Sequence, residues 1–280
     1  MSRAGNRLFC WALVGMMAAA GVFADDEGTF PDDAGSESTI NYLVVADKTG
    51  PFQVVHEGQS HGGVISDVVD RLVEGSGITV RHHVFPVNRL LHEVARGRVK
   101  NWIAFDAPVW DSFRGKGRYL MEPLFLTRHV MLTCNPTIDS PIRSVRDLHG
   151  RSVVTLRNFR YPGLESADET LRLVPADNFR TGLELVSLSR VDGFVEMASR
   201  LRYHLSHFDG QRDCMREVDI SSVVPNYPVY LVVDQDMPAE LIAMLDTRLE
   251  ALVASGEMQR IWQRYVPVTL PSDIQVKVHD

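Results

Sequence analysis

Residues 39 to 85 read TINYLVVADKTGPFQVVHEGQSHGGVISDVVDRLVEGSGITVRHHVF, and the recurrence of apolar residues in this stretch decides the fold class. Ile40 to Ala46 is a short apolar run rich in β-prone residues, the pattern of a buried strand. Asp47 to Pro51 follows as a turn-rich loop at the carboxyl end of that strand. Val64, Ile65, Val68, Val69, Leu72 and Val73 then recur at helical spacing and stop at Gly75-Ser76-Gly77, which predicts an amphipathic helix with a glycine stop. Ile78 to Phe85 reads as a second strand. Further along, Pro86 suits the first turn of a helix with Val87, Leu90, Leu91 and Val94 on one face, ending at Gly97, and Trp102 to Phe105 reads as a third strand. This βαβαβ order predicts a parallel sheet whose loops gather at the carboxyl edge, where α/β proteins bind ligands.

A second α/β unit follows. His129 to Cys134 reads as a strand, Val145 to Leu148 as a helical turn and Ser152 to Leu156 as a strand. Leu183 to Ser189 is a helix face, Val191 to Val195 a strand, Met197 to Leu205 a helix and Val229 to Val233 a last strand. After Pro238, Leu241, Ile242, Leu245, Leu249, Leu252 and Val253 form an amphipathic stripe, which breaks at Gly256 and resumes with Met258, Ile261, Trp262 and Tyr265.

The chain has 280 residues, 45% hydrophobic and 23% charged, with Gly 20 and Pro 14, an ordinary globular composition that excludes disordered and low-complexity classes. A net charge of -7 without a long Lys/Arg run gives no electrostatic footprint for nucleic acid. Arg3 and Arg7 precede an apolar stretch from Leu8 to Val22, and Val22-Phe23-Ala24 stands before Asp25-Asp26-Glu27. That pattern predicts a secretory signal peptide, residues 1–24, cut after Ala24. Cys10 lies inside the apolar stretch without the small residues of a lipidation signal, so an exported, non-lipidated periplasmic protein is expected. Removing 24 residues takes two arginines and no acids, leaving 27 basic against 36 acidic residues, or -9. Residues 25–38 are acidic and Gly/Ser-rich, a flexible leader. After cleavage only Cys134 and Cys214 remain, in an oxidising compartment where they either bond or stay as two buried thiols. Neither has a CxxC neighbour, and His82, His83, His204 and His207 show no ligand spacing, so neither a metal nor another cofactor is expected.

The order of these pieces resembles the bacterial extracellular solute-binding proteins of family 3, the periplasmic receptors for amino acids and related polar solutes. The resemblance runs from about Ile40 to Val266. It is carried by Gly50-Pro51-Phe52 after the first strand, Gly63 to Val69 opening the first helix, and Leu91 to Val99 with its Gly-Arg-Val turn. Met121-Glu122-Pro123-Leu124-Phe125, Val145 to Val153, Ser189 to Phe194 and the ending from Gly256 to Tyr265 continue it. The resemblance implies an α/β, two-lobed type II periplasmic-binding fold, each lobe a mostly parallel sheet flanked by helices, with two hinge crossings. Lobe 1 would hold 39–126 and 232–268, lobe 2 would hold 127–231, and 269–280 would be a tail. Both remaining cysteines then fall in lobe 2, which favours their pairing.

The same resemblance nominates cleft residues. Phe52 stands where the family stacks an aromatic on the ligand, or serves as a loop anchor. Arg114 stands at the spacing of the arginine that grips the ligand carboxylate, a bidentate, charge-assisted contact; the alternative is a solvated loop arginine, crowded by Lys116 and Arg118. Glu196 lies near the acid that holds an α-amino group. Asp106 and Trp110 replace the small hydroxyl residues of amino-acid receptors, offering a cation partner and a cation-π wall, or shaping the loop. Arg157-Asn158-Phe159-Arg160-Tyr161 replaces the family's Gly-Thr pair, so Arg157 and Tyr161 either fill the cleft or recognise a larger or more acidic ligand. No GxSxG, HExxH, phosphate loop or Rossmann glycine pattern is present, and an enzyme is not expected. The expected function is a monomeric receptor that closes on a small polar solute, an amino acid or related charged metabolite, for delivery to an ABC transporter permease. The alternative is a two-lobed sensor or interaction protein with a diverged cleft, signalling to a sensor's periplasmic domain. Neighbouring genes would separate the two.

Overall fold

Two five-stranded sheets, each flanked by helices, build the molecule. The computed structural model describes residues 39–46, 48–157, 159–161, 163–164 and 170–266. The expected signal peptide, leader and 269–280 tail lie outside the described residues. The first half of the chain contributes β1 (Thr39–Val45), a small hairpin of β2 (Val55–His56) and β3 (Gln59–Ser60), α1 (Val64–Val73), β4 (Thr79–Phe85), α2 (Val87–Ala95), β5 (Trp102–Asp106) and β6 (Gly117–Leu126). The chain then crosses and adds β7 (His129–Thr133), a 3-10 turn at Val145–Leu148, β8 (Ser152–Leu156), β9 (Arg172–Ala176), α3 (Phe179–Ser187), β10 (Gly193–Met197), α4 (Ala198–Ser206) and β11 (Arg216–Asp219). It returns through β12 (Pro228–Asp234) and ends in α5 (Ala239–Ala254) and α6 (Glu257–Tyr265).

Strand order is β4-β1-β5-β12-β6 in the first sheet and β11-β7-β10-β8-β9 in the second. The α/β, two-lobed architecture expected from the sequence is present, with the sheets mixed: each has two parallel and two antiparallel ladders. The antiparallel ladders arise where the chain changes lobe, because the returning β12 runs against both of its neighbours. All of β12 lies in the first sheet, so the return falls at Tyr227–Pro228 rather than after residue 231. The two crossing segments lie side by side: the Thr127 amide donates to the Tyr227 carbonyl at 2.9 Å, and the Tyr227 amide donates to the Thr127 hydroxyl at 2.9 Å.

The periodicity that predicts α1 is the periodicity that buries it, since Val64, Ile65, Val68, Val69, Leu72 and Val73 are all buried. Gly63 begins this helix at φ +119°, where a Cβ would sit 2.5 Å from the Phe52 carbonyl oxygen, so only glycine lets the 50–54 loop lie against the helix start. Within the two five-stranded sheets, the strands without a sequence signature, β6, β9 and β11, are all edges, and two of them carry a proline, Pro123 and Pro175, that a central strand rejects. The strand expected at 191–195 forms two residues later, because Asp192 is engaged in the preceding turn, accepting from the Ser152 amide and hydroxyl and from Asn135. Helix α3 starts at Phe179, ahead of the expected Leu183, because the Asn178 side chain caps it by accepting from the Thr181 amide at 2.9 Å. Cys134 and Cys214 are disulfide-bonded, with S–S 2.09 Å and Cα–Cα 4.9 Å, and the bond joins the ends of β7 and β11 within lobe 2. Among the described residues no helix is long and apolar enough to cross a membrane.

Candidate functional site

The loop after β1 forms the lobe 1 side of the interlobe contact. Gln53, 1% exposed, fixes it: its side-chain nitrogen donates to the Tyr42 hydroxyl and the Leu43 carbonyl, and its side-chain oxygen accepts from the Val45 amide at 2.9 Å. Thr49 adds hydroxyl bonds to the Val45 and Gln53 carbonyls. The backbone of Lys48 and Gly50 is therefore held in place as a wall.

Lobe 2 meets that wall with the end of β10 and the start of α4. Glu196, the penultimate residue of β10, is 2% exposed and accepts three hydrogen bonds: from the Tyr161 hydroxyl (3.1 Å), the Met197 amide (2.8 Å) and Arg200 Nη1 (3.0 Å). Arg200 lies four residues on, in the first turn of α4, which brings its guanidinium back over Glu196. Its Nη2 donates across the gap to the Lys48 carbonyl of lobe 1. The guanidinium carbon lies 4.7 Å from the centroid of the Phe159 ring and 5.0 Å from that of Phe179. Next to it, Tyr203 of α4 presses on Gly50, where a Cβ would lie 2.7 Å from the tyrosine ring. Met197 packs with the lobe 1 core, so the two lobes touch over both apolar and polar surface.

Three buried side-chain atoms in this region have no hydrogen-bond partner among the described residues: Arg200 Nε, His129 Nδ1 and His204 Nε2. Burial holds the imidazole of His129 at about 4 and that of His204 at about 3, with the Arg200 charge adding to both, so both rings are neutral at ordinary pH. Burial pushes the Tyr161 hydroxyl well above its usual range, and the Glu196 charge adds to this, so the tyrosine keeps its proton and donates to Glu196.

The nominated residues divide sharply. Glu196 and Tyr161 are brought together, on lobe 2, in direct hydrogen-bond contact. Arg157, four residues before Tyr161, is exposed and binds Asp177 at 2.7 Å; that bond and the Arg157 charge hold the Asp177 carboxyl below the usual range, and the Lys48 charge adds to this. Trp110 reaches the crossing segments, donating from Nε1 to the Tyr227 hydroxyl at 3.0 Å, with the two rings 5.7 Å apart edge to face. Burial raises that Tyr227 hydroxyl to about 12. Asp106 is 1% exposed and its carboxylate is spent on its own loop, accepting from the Ser112 amide and hydroxyl and the Tyr119 hydroxyl; burial raises its pKa, against the pull of these bonds. Those three bonds tie β5 to the loop and to the start of β6.

Phe52 and Arg114 lie elsewhere. The Phe52 ring is 2% exposed in the lobe 1 core, stacked on Phe125 at 4.8 Å and edge-on to Trp262 at 6.0 Å, so it anchors the loop and offers no open face to a ligand. Arg114 is exposed at φ +47° in a turn tied to the amino end of β5: Phe113 stacks on Trp102 at 4.7 Å, and the Lys116 carbonyl accepts from Gln235. The loop from Asp106 to Gly117 descends the length of β5, carrying Arg114 away from the carboxyl edge where Glu196 and Arg200 meet lobe 1. The residue that sequence reasoning missed is Arg200. The signal was available, an acid closing a strand followed four residues later by an arginine on the first turn of a helix. Among the described residues no group of three or more His, Cys, Asp or Glu is placed to hold a metal ion.

No family model matches the chain, and no curated protein matches it. Solved structures do. An amino-acid ABC transporter substrate-binding protein from Streptococcus pneumoniae, bound to L-arginine, aligns at TM-score 0.62 and 13% identity, covering 85% of this chain and 98% of its own. The periplasmic VFT2 domain of Bordetella pertussis BvgS aligns at TM-score 0.61 and 20% identity over 82% of this chain and 94% of its own. An ancestral amino-acid-binding protein described as a precursor of cyclohexadienyl dehydratase aligns at TM-score 0.62 and 15% identity, covering 84% and 98%. At these identities the likeness establishes the two-lobed fold.

Proposed function

We propose that the chain is an exported, non-enzymatic two-lobed receptor, working in the periplasm as a monomer, whose lobes open and close about the paired Thr127 and Tyr227 segments on a small polar solute. The solute-loaded form is delivered to a membrane partner, in the leading reading an ABC transporter permease. The observation that carries this is the interlobe seam: polar groups from both lobes, Glu196 and Arg200 on one side and the Lys48 carbonyl on the other, converge beside the two adjacent crossings by which the described residues pass between the lobes. Such a seam changes its partners when the lobes part, and a solute shifts that balance by its differential affinity for the closed form. Export is supported by the sequence from Arg3 to Ala24, and the likeness to substrate-binding proteins of amino-acid ABC transporters supports the binding role.

One observation favours the second reading, a sensor or interaction protein. Glu196, the acid expected to hold a solute ammonium, already accepts Tyr161, Met197 and Arg200, so the amino-acid rule of the family is not available in this form. A thermal-shift screen of amino acids, polyamines and organic acids on the purified protein, with small-angle scattering of any hit, tests the receptor reading. A solute that raises the melting temperature and reduces the radius of gyration supports it. If no compound stabilises the protein at millimolar concentration, solute reception is refuted and the sensor reading takes its place.

A further inference from the structure

Arg200 carries five N–H donors in a rigid planar fork. Only one is committed within lobe 2, the Nη1 bond to Glu196 at 3.0 Å. The opposite side of the fork, formed by Nε and Nη2, faces the seam: Nη2 donates to the Lys48 carbonyl, and Nε, fully buried, has no partner among the described residues. The Phe159 and Phe179 rings at 4.7 and 5.0 Å fix the plane of the guanidinium, so this edge is oriented before anything binds. A backbone carbonyl offers a single oxygen and satisfies half of such an edge. A carboxylate offers two oxygens at the spacing the edge requires, in parallel charge-assisted bonds.

We propose that the Nε–Nη2 edge of Arg200 is a carboxylate-binding site on lobe 2, covered here by the Lys48 carbonyl of lobe 1, which an incoming carboxylate solute displaces. This deepens the receptor reading and rests on it, naming the class of solute and the group that grips it. The grip is carried by α4 rather than by Arg114, which the fold turns to the far end of β5. The adjacent Glu196 engages the Nη1 side of the fork and is held there by Tyr161 and Met197, so it leaves the Nε–Nη2 edge without a carboxylate. Opening the lobes withdraws Lys48 and uncovers both donors of the edge, and reclosure on an anion that takes both satisfies Nε, which the Lys48 carbonyl leaves without a partner.

The test is a binding titration of acetate, benzoate, glutarate and L-glutamate on the purified protein by calorimetry and thermal shift. Their primary amides serve as uncharged controls and inorganic phosphate as a competing oxyanion. Arg200→Lys keeps the charge next to Glu196 but lacks the fork, so it is expected to fold, with the 48–53 loop held less tightly against lobe 2, and to bind the best carboxylate at least about tenfold more weakly. Arg200→Met with Glu196→Gln removes both charges together and should abolish carboxylate binding while remaining folded. Unchanged affinity in Arg200→Lys overturns the proposal, as does phosphate binding with carboxylates inert, or a failure of every carboxylate to bind. An amide or amine that binds equally well to parent and Arg200→Lys leaves the receptor reading standing and overturns only the carboxylate site.

Discussion

Replacing Arg200 by methionine isolates what the seam contributes to stability. The side chain is 3% exposed and its partner Glu196 2%, so the pair belongs to the class in which loss of one member strands the other in a water-poor setting. Breaking such pairs costs about 3 to 5 kcal/mol. Here Glu196 keeps the Tyr161 and Met197 donors, which places Arg200→Met at the lower end, about 3 kcal/mol. Glu196→Gln leaves Arg200 with the Lys48 carbonyl and two aromatic faces, and about 2 kcal/mol is expected. The double variant has neither charge and leaves nothing stranded, so it should cost less than the sum of the singles, with a coupling of about 2 kcal/mol. Urea denaturation followed by far-ultraviolet circular dichroism measures all four proteins. Tryptophan fluorescence adds a lobe-specific view, because Trp102, Trp110 and Trp262 all pack in lobe 1. If the two single costs add in the double variant, the Glu196–Arg200 contact is not the coupled buried pair described here, and the account of the seam is wrong.

Other consequences follow from lobe 2 and from the buried imidazoles. The Cys134–Cys214 bond closes a loop with a sequence separation of 80, for which chain entropy gives about 4.5 kcal/mol, so the double serine variant should unfold at markedly lower urea; a midpoint equal to that of the oxidised protein would refute this. His83, His129 and His204 are held by burial at about 4, about 4 and about 3, against about 6.5 in the unfolded chain. Their folded values are depressed, so the folded state stays neutral while the unfolded state takes up protons below about pH 6.5; stability is full above that pH and falls as pH drops toward the folded values, by about 2 kcal/mol per histidine between pH 8 and 5. His204→Phe keeps the stack on Phe179, now 3.7 Å between ring centroids, and should flatten the acid side of the melting profile, while an unaltered profile would contradict the assignment.

The parts of the fold legible in sequence are those whose residues are buried on a regular period. The α1 stripe, the Gly256 break and the Met258–Ile261–Trp262 face are such cases, and all lie in the core. Edge strands β6, β9 and β11 were not legible, because an edge has one unpaired side and tolerates proline and charge. Loop course was the second blind spot. The spacing from β5 to Arg114 fits a cleft arginine, but spacing along a chain does not say which way a loop runs, and Phe113 docking on Trp102 turns this one toward the amino end. Phe52 failed for a related reason: an aromatic after β1 suits a ligand face or a core equally well, and the choice is made by Phe125 and Trp262, more than 70 residues away in sequence.

The arrangement of charge has a consequence for how closure works. In the family pattern the acid and the arginine stand on opposite lobes, and the solute that satisfies both draws the lobes together. In this chain the acid and the buried arginine stand four residues apart on the same lobe and satisfy each other, and the link across the gap is a backbone carbonyl, Lys48. Part of the closing interaction is then made between the lobes themselves, as are the Tyr203–Gly50 and Trp110–Tyr227 contacts beside the seam. A solute contributes only the difference between its own bonds and those it displaces, so its effect on closure is smaller than its contact count suggests. Removing the carbonyl's partner by Arg200→Lys should therefore loosen the unliganded form even where the lysine still neutralises Glu196. Hydrogen exchange in the 48–53 loop reads that loosening directly, and protection equal to the parent would mean that the apolar contacts alone hold the lobes together.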